Sequence, residues 1–72
     1  MKNDVIEINP KKVSGTPVFA GTRVPVKNLF DYLEGGESIE DFLEGFPPVS
    51  REQAIAVLEM AEKSLIKEVA AN

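Results

Sequence analysis

The sequence predicts a mainly α fold: a short N-terminal β element followed by a three-helix, helix-turn-helix-like bundle, expected as a dimer. Three observations predict it. Apolar residues recur at helical spacing in three segments after residue 24, while two short apolar stretches before it are broken by proline and glycine. The chain has 72 residues and no cysteine, so it makes one small domain with no disulfide framework. Domains of this size are marginal alone and often self-associate, most simply as twofold dimers. Residues 1–24 are assigned to the strands and a Gly-Thr-Arg corner, and residues 25–72 to the bundle, with helices over about 25–34, 38–45 and 50–70.

The first strand is "DVIEI", with Ile6 and Ile8 on one face, ended by Asn9-Pro10. "SGTP" reads as a turn, and "VFA" as a second short strand ended by Gly21. Gly21 supplies φ > 0 at the corner and Thr22 a hydroxyl for the local backbone. Pro25 suits the first turn of a helix whose stripe is Val26, Leu29, Phe30 and Leu33, closed by Gly35-Gly36. Ser38 caps the second helix with Asp41 in the capping-box place, and its stripe is Ile39, Phe42, Leu43 and Phe46. Glu37, Glu40, Asp41 and Glu44 fall roughly opposite, as a solvent face. "SREQ" gives a second capping box, Ser50 with Gln53, opening the longest helix. Its expected core line is Ala54, Leu58, Ala61, Leu65 and Val69. Ile55, Val57, Met60 and Ile66 widen the apolar surface, either as a broad core stripe or as an interface with a partner or dimer mate.

The chemistry available is narrow. With no histidine and no cysteine there is no imidazole base, thiolate nucleophile or usual zinc site. The carboxylates of the second helix would be hydrated, with nothing to raise a pKa for acid work. "EGGES" lacks the lysine and spacing of a phosphate loop. No catalytic residue, metal or cofactor is assigned, and an enzyme is not expected. No apolar stretch approaches the roughly 20 residues of a membrane span, and the N-terminus lacks a signal-peptide pattern. No membrane association is expected, and a cytoplasmic location is.

The net charge of −4 is unevenly spread. Residues 1–30 hold Lys2, Lys11, Lys12, Arg23 and Lys27 against Asp4 and Glu7, while residues 31–44 hold six acids and no base. If the second and third helices act as a helix-turn-helix, Arg51 and Gln53 at the start of the third are placed to reach DNA. Lys11, Lys12, Arg23 and Lys27 form the basic surface available to phosphate. Against this, the exposed line of that helix is Glu52, Ala56, Glu59 and Lys63, and its two carboxylates make a poor reading surface. Arg23 has two readings: a structural fork onto a carbonyl or the acidic second helix, within the chain or across a dimer, or a phosphate contact.

Residues 15–61, from "GTPVFAGTRVPV" through "SIEDFL" and "FPPVS", resemble the domain-of-unknown-function 433 family. The resemblance implies a small strand region, a homeodomain-like three-helix unit, and a homodimer. It also implies an antitoxin-like role in a toxin-antitoxin system, binding a PIN-like toxin and operator DNA. Here toxin contact is expected on helix three or at the strand end. The alternatives are a stand-alone DNA-binding repressor and a protein-interaction dimer that binds no DNA.

Overall fold

In chain order, the computed structural model describes residues 5–70 as β1 (Ile6–Glu7), a 3₁₀ turn (Val13–Gly15), β2 (Val18–Phe19), α1 (Lys27–Glu34), α2 (Ile39–Gly45) and α3 (Arg51–Ala70). The architecture is mainly helical, three helices with a two-stranded β element at the N-terminal end. The strands pair antiparallel within one chain, Ile6 opposite Phe19 and Glu7 opposite Val18. The first strand is shorter than expected: Ile8 lies beyond the pairing and is exposed, and Asp4 lies outside the described residues. Val18 and Phe19 point to opposite faces, yet both are fully buried, so β2 is enclosed on both sides.

Residues 17–26 fold back as a second, irregular hairpin. Val18 bridges Pro25, and the flanking bonds run from Phe19 N–H to the Val24 carbonyl and from Val26 N–H to the Pro17 carbonyl, both 3.0 Å. Neither bond uses the N–H that proline lacks, so Pro25 fits here. This corrects its expected place: Pro25 closes the bridge, and α1 begins two residues later.

The tip of this hairpin is the Gly-Thr-Arg corner. Gly21 has φ +77°, at the third position of a turn in which Thr22 N–H donates to the Phe19 carbonyl at 3.0 Å. The Thr22 hydroxyl donates to the same carbonyl at 2.8 Å and accepts from Val24 N–H at 3.0 Å. A buried side chain thus satisfies the backbone on both sides of Arg23. Glu7 reaches across from β1 and accepts from Gly21 N–H at 3.1 Å.

Local signals fix the helix ends. Gly36, at φ +87°, lets its N–H reach the Leu33 carbonyl and Glu37 N–H reach that of Tyr32, a Schellman closure of α1. Ser38 and Asp41 exchange side-chain-to-backbone bonds of 3.1 Å at the start of α2. Ser50 and Gln53 do the same for α3 at 3.1 and 3.0 Å.

The core contains Phe19, Val24, Val26, Leu29, Phe42, Val49, Ala54 and Val57. Phe42 is its hub, with ring centroids 5.7 Å from Phe19, 5.6 Å from Tyr32 and 5.1 Å from Phe46. Such tilted and edge-on pairs add roughly 0.5–1.5 kcal/mol each beyond area burial. Only the first two turns of α3 enter this core, through Ala54 and Val57, with Leu58 packed against its edge. The expected core line therefore fails beyond Leu58: Ala61, Leu65 and Val69 are all exposed. The physical reason is length. A 20-residue helix spans about 30 Å, and the elements before it are too small to flank it throughout.

The corner yields a direct test. Thr22→Val keeps the shape, leaves Val24 N–H unpaired, and is expected to cost about 1–3 kcal/mol. That lowers the melting temperature by roughly 4–8 °C per kcal/mol in a domain of this size. Thr22→Ser, which retains the hydroxyl, loses markedly less; equal melting of the two variants would show that the hydroxyl does not hold the corner.

Candidate functional site

Six residues are candidates for DNA contact, and the fold does not present them as one free basic surface. Lys12 Nζ lies 3.2 Å from the Glu7 carboxylate. Lys27 bonds both carboxylate oxygens of Asp31 at 2.9 Å, one helical turn on. Arg51 Nη2 lies 2.8 Å from Glu40 Oε2, tying α3 to α2. Gln53 completes the α3 capping box and donates its amide to the Ala20 carbonyl at 3.0 Å. That bond fastens the start of α3 to the corner. Lys11 and Arg23 are exposed and have no carboxylate partner among the described residues.

Within the described residues of the single chain the Arg23 guanidinium makes no bond to a carbonyl or to α2, and a contact across a dimer is the form of the structural reading that stays open. Thr22, Glu7 and Gln53 hold the corner instead. Glu7 is the residue that sequence reasoning missed, because its bond to Gly21 spans 14 positions.

The interface candidates separate as well. Val57 is a core residue, 3% exposed, and so no part of an open interface. The expectation fails there because Val57 lies one turn beyond Ala54 on the inward side of α3. Ile55 and Ile66 are exposed on a common side of the helix. Met60 is also exposed, but spacings of five and six residues carry it well round the helix from both.

What gathers beside Ile55 and Ile66 is the misassigned part of the core line. Leu65 and Ile66 are each 60% exposed and Val69 is 63% exposed. On an α-helix, residues seven apart fall nearly in line. One line holds Leu58 and Leu65, the next Ile55, Glu62 and Val69, and the next Glu52, Glu59 and Ile66. This is a three-line face of five aliphatic side chains with three carboxylates among them. Lys63, one turn beyond Glu59, borders this face on the Glu52–Glu59 side, and Lys67 follows one turn further on.

Three carboxyl groups away from this face sit below their ordinary range. Glu7 is lowered first by the Gly21 N–H and then by Lys12, Glu40 by Arg51, and Asp41 by the backbone and hydroxyl of Ser38. Folded-state values below unfolded ones mean that the stability they supply is present above the unfolded value. It is lost as pH falls through the folded values. Melting temperature is expected to hold from neutrality to about pH 5 and to decline below about pH 4.5. Glu7→Gln should make that acid decline shallower; an unchanged acid profile would remove Glu7 from the account.

Among the described residues, no helix is long and apolar enough to cross a membrane. The family model for DUF433, a protein family of unknown function, matches residues 6–61. A Sinorhizobium fredii (strain NBRC 101917 / NGR234) protein described as "Uncharacterized protein y4eO" is 36% identical over 50 residues, 69% of this chain. The match spans only 23% of that protein's length. The crystal structure of a DUF433 member protein from Anabaena variabilis ATCC 29413 superposes with a TM-score of 0.72 at 25% identity. It covers 96% of this chain and 70% of that one. The matched segment takes in both strands, the corner, α1, α2 and the packed turns of α3, and the chain belongs to the DUF433 family.

Proposed function

We propose that this chain is a non-enzymatic protein-binding module of the antitoxin type, engaging a PIN-like toxin through the distal part of α3. The observation that carries this reading is the exposure of Leu65, Ile66 and Val69 on one side of a helix already anchored at its other end. Exposed apolar side chains scattered singly are ordinary, but a contiguous set at helical spacing is the signature of a helix that docks into a groove. A homodimer, if formed, would use the β end, where Ile8 and Val13 are exposed.

Operator binding is assigned to the complex rather than to the chain alone. Three of the five basic candidates already hold carboxylates, and α3 offers Glu52 and Glu59 to the groove. A stand-alone repressor built on Lys11 and Arg23 would release few counterions, giving a log-affinity against log-salt slope of about −2.

Co-expression with the product of the adjacent reading frame tests the proposal. Wild-type protein is expected to co-elute with that product at micromolar concentration, and Leu65→Asp/Ile66→Asp to separate from it while keeping its melting temperature. Separate elution of the wild type, with tight operator binding by the chain alone and a steep salt slope, would favour the repressor instead.

A further inference from the structure

Glu7 differs from the other carboxylates of the chain in what surrounds it. Between Val5 and Phe30 it is the one acidic residue, against Lys11, Lys12, Arg23 and Lys27. Lys27 is held by Asp31, outside that stretch. The other three cations belong to the turn after β1 and to the Gly-Thr-Arg corner, the two segments that Glu7 joins. Its Oε1 accepts from the Gly21 N–H at 3.1 Å and from Lys12 Nζ at 3.3 Å, and its Oε2 lies 3.2 Å from the same ammonium. Donors from two segments thus converge on one carboxylate.

A backbone N–H at a left-handed glycine, beside a lysine ammonium, is a donor set suited to an oxyanion. Here the chain supplies the oxyanion itself. The arrangement is open to solvent: the Glu7 and Lys12 side chains are 31% and 26% exposed, and a Cβ added at Gly21 would meet no atom within 4 Å. Lys11, next to Lys12, and Arg23, two residues beyond Gly21, are exposed and hold no carboxylate among the described residues. We infer that the Gly21 N–H and Lys12 form a phosphate site that Glu7 occupies as an internal ligand, with Lys11 and Arg23 as its flanking cations.

A tethered carboxylate competes at an effective concentration on the order of millimolar. Inorganic phosphate at that level therefore leaves most of the wild-type sites masked. A polyanion brings neighbouring phosphates that Lys11 and Arg23 take at the same time, and the added counterion release displaces Glu7. The mask acts at the corner whether or not distal α3 docks a protein.

Thermal melts of the full chain with and without inorganic phosphate, at equal ionic strength, test the site. Glu7→Ala vacates it and is expected to melt below the wild type in chloride and to recover by several degrees in phosphate. The wild type, whose site is filled, should move much less, and Glu7→Ala/Lys12→Ala should not recover. A second arm reads the anisotropy of a labelled random-sequence duplex. Glu7→Gln, which removes the charge and keeps an oxygen for Gly21, should bind about tenfold tighter, with a log-affinity against log-salt slope steeper by about one. Glu44→Gln, the same change of charge on α2, should bind as the wild type does.

Recovery in phosphate together with the duplex gain supports the site with a nucleic-acid backbone as its ligand, and recovery alone supports it with a free phosphate. A Glu7→Ala melt indifferent to phosphate overturns the proposal, as does recovery that persists without Lys12. An equal duplex gain from Glu44→Gln assigns that gain to net charge and removes the nucleic-acid source. Should Glu7→Ala not fold in either buffer, the duplex arm decides, and an affinity and slope that Glu7→Gln leaves unchanged overturn the proposal.

Discussion

The Thr22 hydroxyl bonds the backbone on both sides of Arg23, and the rest of the fold is hung from that corner. Glu7 grips it from β1 through Gly21, and Gln53 grips it from α3 through the Ala20 carbonyl. These three side chains join the β element to a helix that begins 32 residues after β2 ends. The corner also sets the direction of the chain: Val24 is returned beside Phe19, Val26 enters the core, and α1 starts directly afterwards. Buried polar groups of this kind are stabilising only when fully satisfied. Here no buried side-chain nitrogen or oxygen among the described residues lacks a partner.

Anchoring at one end has a consequence at the other. Gln53, Ala54 and Val57 commit the first turns of α3 to the body, and the aromatic group around Phe42 fills the space between α1 and α2. The helix then runs beyond what those elements can cover. Its remaining apolar residues Leu65, Ile66 and Val69 are exposed, while Lys12, Lys27 and Arg51 hold carboxylates elsewhere on the surface.

Much of this was legible in the sequence, and the pattern of failure is physical. Interactions within a few residues could be read directly: the Ser38–Asp41 and Ser50–Gln53 boxes, the left-handed glycines at 21 and 36, and the stripes of α1 and α2. Periodicity also found the apolar side of α3, but periodicity identifies a face and not what covers it. Leu65 and Val69 therefore read as core although nothing packs on them within the described residues. Long-range choices were invisible for a related reason. The bond from Gln53 to Ala20 spans 33 positions, and the pairing of Arg51 with Glu40 spans 11. The Lys27–Asp31 pair was legible too, since Asp31 stands at the i,i+4 spacing that pairs opposite charges on a helix.

Helix α3 is two things in sequence, a packed half and an exposed half. Amide hydrogen exchange on the isolated chain tests it most directly. Amides from Ala54 to Leu58 are expected to exchange only through global unfolding, and those from Glu62 to Ala70 through local opening, orders of magnitude faster. Uniform protection along the whole helix in the isolated chain would contradict it, because the distal half would then already be packed.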